Sequence, residues 1–333
     1  MQLAELSLNI LLIAFFIVTL RAKFCRQPNA MAKYFDPKAD LTFKNVFGEH
    51  KELLISLLNS LLPLEDGKEI VSIEYLNPEL VPETPTKKDS VVDVRCTDTI
   101  NRQFIVEMQM YWTNAFKNRA LLNTCKAYTR QAEGGTKYNH LRPVYTLSLV
   151  DDIAFPDEER FYHRYQPADI LNPKNRIDGF EMIFVELPKF MEWQKTSGKA
   201  QWQDAKDNRI TISSMSFKKL AVLWLRFLTE IDERTIVVDD ELLADTGVNK
   251  ALTLVEQAAY TDGQRLTYER YFDMVSRERT ALDEREEKGE ARGRAEGEMS
   301  KALSIAANLL SMGMSIEQVA KATGLSPEDI NSL

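Results

Sequence analysis

The stretch KKDSVVDVRCTDTINRQFIVEMQ, Lys87 to Gln109, decides the fold. Its first half alternates: Val91, Asp93 and Arg95 fall on one side of an extended chain, and Val92, Val94 and Cys96 on the other. QFIVEMQM repeats the pattern, with Phe104, Val106, Met108 and Met110 on an apolar side and Ile105, Glu107 and Gln109 opposite. Between the halves, Asp98, Thr99 and Asn101 are turn formers, so the stretch predicts a β-hairpin. Opposed residues of an antiparallel pair share a face, and a register that sets Asp93 against Glu107 or Gln109 puts both carboxylates on one surface. A slip of one residue separates them.

Two carboxylates side by side repel unless something positive lies between them. Mg²⁺ or Mn²⁺ suits the position, taking oxygen ligands from one or two carboxylates and keeping several waters. Acids on an antiparallel face more commonly mean only that the face is solvated, and the hairpin by itself favours that meaning.

The 333 residues are 44% hydrophobic and 28% charged, enough for one large domain plus accessories. A formal net charge of −8 argues against a surface that coats nucleic acid everywhere and leaves that work to a local basic patch. Cys25, Cys96 and Cys125 are odd in number and unclustered, which implies neither a disulfide framework nor a zinc knuckle. His50, His140 and His163 are scattered, which speaks against a histidine-rich metal site. A reducing, cytoplasmic compartment fits this usage.

Residues 6–20, LSLNILLIAFFIVTL, carry no charge and are followed by Arg21, Lys23 and Arg26. At about 1.5 Å per residue the run is short of a hydrocarbon core of about 30 Å, and a secretory signal places its bases before the apolar run. Two readings stand: residues 1–30 are an upstream extension from a misassigned start, or they are a short membrane anchor with the basic flank on the cytoplasmic side.

Leu41, Phe43, Val46, Phe47, Leu53, Leu54, Leu57, Leu58 and Leu61 recur at helical spacing, interrupted at Gly48, with Asp40 in the N-cap position. Residues 70–76, IVSIEYL, predict a first strand. After the hairpin a helix is expected from about Thr113 to Glu133, and the charge balance there inverts. Between Met110 and Val150 the bases Lys117, Arg119, Lys126, Arg130, Lys137 and Arg142 face a single acid, Glu133. Arg119, Lys126 and Arg130 project from one helix face, where they make a wall suited to a phosphate backbone. RPVYTLSLV (142–150) is a near-continuous apolar strand, followed by RFYHRYQ and FEMIFVEL as further strands. The alternation of strands and helices predicts an α/β domain.

Ser216 to Leu228 predicts a core helix in which Trp224 serves packing. Residues 280–299 set Gly289, Gly293 and Gly297 among charges, a composition for a solvated helix or a tether. Residues 300–333 predict a small helical module: Ser315 with Gln318 makes a capping box, Gly324 breaks the helix, and Ser326 with Pro327 starts another. It has the pattern of a helix-turn-helix. Lys301 and Lys321 against Glu317, Glu328 and Asp329 favour self-association or partner binding over reading a DNA groove.

ADLTFKNVFG, DSVVDV, FIVEMQ, NRALLNTCKAY, GTKYNHLRPVYTLSLV and VELPKF follow one another within residues 33–235. In that order they resemble the PD-(D/E)XK nuclease family transposases, the recombination-promoting nuclease group. The resemblance implies a restriction-endonuclease-like core, a mixed central sheet flanked by helices, over residues 33–279, with a C-terminal helical extension. It implies an endonuclease that cuts double-stranded DNA with Mg²⁺ (or Mn²⁺) in recombination or transposition. Asp93 then stands as the first metal-binding acid and Glu107 as the second, with the backbone carbonyl of Met108 completing the ligands. Asp40 is the acid of the first helix, and Gln109 replaces the family's final lysine. Lys88 and Arg119 fall on other family positions, as do Tyr128 and Tyr138; Lys88, Arg119, Lys126 and Arg130 are the expected DNA contacts. An amide cannot act as a base, so the alternative is a nuclease-fold protein that binds DNA or a partner and cuts weakly or not at all. A homo-oligomer through the C-terminal helices is a further expectation, and a membrane contact is expected only through residues 6–20.

Overall fold

The structure, a computed structural model, describes residues 34–77, 93–135, 137–198, 209–212 and 215–333. The expectations for residues 1–30, for Lys88 and for Val91 and Val92 lie outside the described residues. The chain divides into two units, residues 1–265 and 266–333.

In the first unit, helix α1 (Asp40–Phe43) opens one residue earlier than expected. Ala39, not Asp40, is the N-cap, and no side chain caps the helix. The cause lies just upstream: the Lys38 N–H closes onto Asp36 Oδ1 at 2.8 Å and turns the chain into helical geometry before Asp40. Asp40 sits inside the first turn, where its carboxylate pairs with Lys44 Nζ at 2.7 Å. The break expected at Gly48 takes the form of a π-helical turn, Lys44–Gly48, that buries Val46 and Phe47. Helix α2 (Lys51–Leu61) follows and buries Leu53, Leu54, Leu57, Leu58 and Leu61.

Six strands form one mixed sheet: β1 (Ile73–Tyr75), β2 (Val94–Asp98), β3 (Gln103–Gln109), β4 (Val144–Val150), β5 (Tyr162–Tyr165) and β6 (Phe180–Glu186), in the order β1-β2-β3-β4-β6-β5. The hairpin β2–β3 pairs Val94 with Val106 and Cys96 with Phe104. Its turn uses the residues the sequence offers: Asp98 Oδ1 accepts the N–H groups of Ile100 at 3.1 Å and Arg102 at 2.9 Å. Asn101 takes φ 63°, a left-handed conformation that asparagine tolerates. Strands β3, β4 and β6 run parallel. Such neighbours need a crossover, and α3 (Asn114–Thr129) supplies the one between β3 and β4. Thr113 caps α3, its Oγ1 accepting the Phe116 N–H at 3.0 Å, and a 3₁₀ turn over Arg130–Gly135 ends the segment.

The sheet is covered on both faces. Val94, Cys96, Phe104, Val106, Leu147, Leu149, Ile183 and Val185 join the leucines of α2 in one core. Later helices complete it: α4 (Leu187–Trp193), directly after β6, contributes Phe190. After the two-stranded hairpin β7 (Arg209–Ile212) and β8 (Met215–Lys218) come α5 (Lys219–Glu230), α6 (Asp240–Ala244) and α7 (Thr246–Leu254). The helix expected from Ser216 begins only at Lys219, because residues 215–218 pair with 209–212 as a strand. Trp224 is fully buried, with its indole N–H on Ser56 Oγ at 3.0 Å, which is the packing role expected of it. On the opposite face lie Ile105, Val144, Val150, Met182 and Phe184, covered by Phe116, Ala120 and Ala127 of α3.

The second unit is helical. Helix α8 (Asp262–Ser311) contains the charged stretch 280–299, whose residues are exposed apart from the half-buried Leu282. Then come α9 (Ile316–Thr323), with the Ser315–Gln318 capping box formed, and α10 (Pro327–Asn331). Gly324 ends α9 at φ 73°, a conformation suited to glycine. Ala306, Val319, Leu325 and Ile330 form its small core. Among the described residues no helix is long and apolar enough to cross a membrane.

Candidate functional site

The hairpin register puts Val94 opposite Val106, so one step further sets Asp93 against Glu107. The two carboxylates therefore share the face that α3 covers. Asp93, just before β2 begins, turns back onto the neighbouring strand, and its Oδ2 accepts the Met108 N–H at 2.6 Å. Glu107 points under α3 and is 4% exposed, which overturns the solvated-face meaning that the hairpin alone favoured. A buried carboxylate needs partners. Glu107 Oε1 has one, the Asn123 amide of α3 at 3.1 Å, while Oε2 is buried with none. Ser148 stands beside Glu107 in the β3–β4 ladder, and its buried Oγ is likewise without a partner.

Electrostatics follow from this placement. Burial pushes Glu107 up to about 7, with Asp93 adding to the rise and Arg119 and the Asn123 hydrogen bond opposing it. Burial pushes Asp93 up to about 6; the Met108 N–H, Lys44 and Arg119 pull it down, and Asp40 pushes it up. Two carboxylates that both resist ionisation, one with an unpartnered oxygen, make a donor set short of a positive charge. Hard divalent cations take such oxygens and complete their shell with water. Among the described residues no group of three or more acidic, histidine or cysteine side chains is assembled for a metal, so the fit is to an ion held by two carboxylates.

Gln109 is occupied at both ends. Its Nε2 donates to the Tyr111 carbonyl at 2.8 Å, and its Oε1 accepts from Arg119 Nη2 at 2.9 Å. Arg119 also lies over the Phe116 ring, 5.1 Å from guanidinium to centroid. Gln109 thus positions Arg119 beside the carboxylates. Arg119, Asn123, Lys126 and Arg130 recur at spacings that keep them on one stripe of α3, and Asn123 within that stripe reaches Glu107. Burial lowers the pKa of Arg95, and Arg130, at the far end of the stripe, adds to that shift. Tyr128 packs over Gly179, and Tyr138 is 84% exposed in a 3₁₀ turn.

Three neighbours of the site were not singled out in the sequence. Asn123 and Ser148 had no signal beyond their places on a buried helix face and strand face. Lys44 had one: it stands four residues after Asp40, the spacing that makes ion pairs on a helix.

Residues 37–288 match the family model described as PD-(D/E)XK nuclease family transposase. Residues 300–333 match that of the Rpn/YhgA-like nuclease family, C-terminal HTH domain. No curated protein and no solved structure matches the chain.

Proposed function

We propose, for a chain that belongs to the PD-(D/E)XK nuclease family transposases, a divalent-metal-dependent endonuclease that hydrolyses phosphodiester bonds of double-stranded DNA during recombination or transposition. The observation that carries the reading is the buried pair Asp93 and Glu107, with Glu107 Oε2 unpartnered. Asp93, Glu107 and the Met108 carbonyl would hold Mg²⁺ or Mn²⁺, which when bound polarises a phosphate and lowers the pKa of a water. Asn123 fixes the Glu107 carboxylate, and its neutral amide lets that carboxylate keep its charge for the ion. Arg119, oriented by Gln109, would meet the charge that builds on the phosphate oxygens. Hydrolysis then forms a bond from water oxygen to phosphorus as the bond to the departing sugar oxygen breaks. The water proton passes to solvent, and the sugar oxygen takes one up. Gln109, an amide with both ends engaged, supplies no base and serves to hold Arg119. Lys126 and Arg130 continue the basic stripe toward flanking phosphates, and Lys88 is a further expected contact. Asp40, paired with Lys44, would hold a water at the site. The C-terminal helix-turn-helix would contact DNA or join copies of the chain, and unclustered cysteines fit action in the cytoplasm.

The test is incubation of the full chain with supercoiled plasmid, with Mg²⁺, Mn²⁺ or EDTA, beside Asp93→Asn. Metal-dependent nicking or linearisation that Asp93→Asn abolishes is the expected result. Cleavage that persists in the variant, or none with either metal, overturns the reading.

A further inference from the structure

We propose that Lys44, held by Asp40, is the cation that meets the scissile phosphate at the Asp93–Glu107 site, in the place that Gln109 cannot fill. The inference rests on the nuclease reading above and adds a residue to it.

Three observations converge on Lys44. First, the π-helical turn Lys44–Gly48 packs against strand β2, whose first residue follows Asp93. A β-carbon at Gly48 would lie 3.7 Å from Lys44 Cβ and 3.8 Å from Val94 Cγ2, so the Lys44 stem and the start of β2 flank one point. Turns of this kind, which widen a helix locally, recur at functional sites. Here the turn lets Val46 and Phe47 be buried while Lys44 stays toward solvent. Second, Lys44 is near enough to Asp93 for its charge to favour the ionised carboxylate, alongside Arg119. Asp93 thus has one cation from α3 and one from the π-helical turn. Third, these cations differ in freedom. Arg119 is committed to Gln109 and lies over Phe116. Lys44 has Asp40 at 2.7 Å, with both side chains nearly half exposed. Exposed pairs of that kind are weakly held, and a lysine ammonium on its four-carbon stem exchanges one anion for another without rebuilding a fork of hydrogen bonds.

Asp40 therefore parks Lys44 beside the carboxylates until a phosphate arrives. The ammonium N–H groups then donate to a non-bridging phosphate oxygen, offsetting the repulsion between that phosphate and Asp93 and Glu107. Lys44 forms no covalent bond, and the hydrolytic step is the one described above.

The test compares full-chain wild type with Lys44→Met, Lys44→Arg and Asp40→Asn. Methionine keeps most of the apolar stem, and thermal melting shows whether the fold is retained. Two readouts are taken. One is plasmid cleavage with Mg²⁺ or Mn²⁺, analysed as kcat and KM. The other is binding of a short duplex in EDTA at several salt concentrations. Lys44→Met is expected to lose roughly 10²-fold in kcat, as for removal of one donor aimed at developing charge. Its plot of log affinity against log salt should flatten by about 0.9, one phosphate contact. Lys44→Arg should restore the slope. Asp40→Asn should strengthen duplex binding where Lys44→Met weakens it; a merely structural ion pair would move both the same way. Cleavage by Lys44→Met at the wild-type rate, or an unchanged salt slope, overturns the proposal while the nuclease reading stands. A wild type that cuts with neither metal overturns the nuclease reading, and the salt slope then decides by itself whether Lys44 meets phosphate.

Discussion

Asn123 of α3 donates its side-chain amide to Glu107 of β3 at 3.1 Å, and that bond joins the helix to the acid it covers. Both residues are buried, and the other Glu107 oxygen has no partner. The amide orients the carboxylate so that one oxygen is engaged, and the proposed function gives the other to a cation.

Replacing Asn123 with Ala therefore weakens both metal binding and the fold. Outer groups that hold a metal-ligating carboxylate typically contribute 10–100-fold to affinity. Loss of one buried hydrogen bond costs about 1–3 kcal/mol of stability. Titrating Mn²⁺ into wild type and Asn123→Ala, with a urea melt of each, checks both; equal metal affinities would contradict the assignment.

Glu107→Gln should stabilise the metal-free protein at alkaline pH. The folded-state value of Glu107 is raised from 4.5 to about 7. Its favourable contribution is thus complete below about 4.5 and is lost as pH rises through about 7. A shift of that size corresponds to roughly 3 kcal/mol at most. In EDTA the variant should melt above wild type at pH 8, and the gap should close toward pH 5. A gap that is constant with pH would mean that burial is not what raises Glu107.

Trp224→Ala tests the opposite core. The ring is fully exposed to no solvent, lies 5.4 Å from Phe47 between centroids, and donates to Ser56. Truncation should cost about 3–5 kcal/mol in a denaturant melt. A loss below 1 kcal/mol, on the order expected of a surface position, would contradict the packing role.

Where the C-terminal helices join copies of the chain, as one arm of the proposed function has it, removing residues 300–333 should reduce its size in solution. Ile305, Met312 and Ile316 are exposed apolar residues of the second unit, and its acidic balance disfavours a phosphate surface. Sedimentation of full and shortened chains checks this. An unchanged size with lost duplex affinity would assign the module to DNA instead.

Periodicity made most of the fold legible. The alternation of Val94, Cys96, Phe104 and Val106 set the buried face of the hairpin, and the leucines from Leu53 to Leu61 set the helix that covers it. Ser315, Gln318, Gly324 and Ser326 fixed the C-terminal helix ends because capping is local chemistry. What escaped depended on distant contacts. Whether the Glu107 face was wet or dry turned on α3 folding over it, a crossover that no hairpin pattern contains. Asp40 looked like a cap because its own sequence is cap-like; the turn at Asp36 pre-empted it. Asn123 is one polar residue among several on its helix and gains meaning only when paired with Glu107.

In the proposed function, Asp93 and Glu107 together hold a divalent cation. The most direct measurement is the electron paramagnetic resonance signal of Mn²⁺ titrated into the full chain, Asp93→Asn and Glu107→Gln at pH 8. One protein-bound Mn²⁺ is expected in wild type, displaced by Mg²⁺, and none bound by either variant in the same range. Binding that survives in both variants, or no bound Mn²⁺ in wild type, would contradict it.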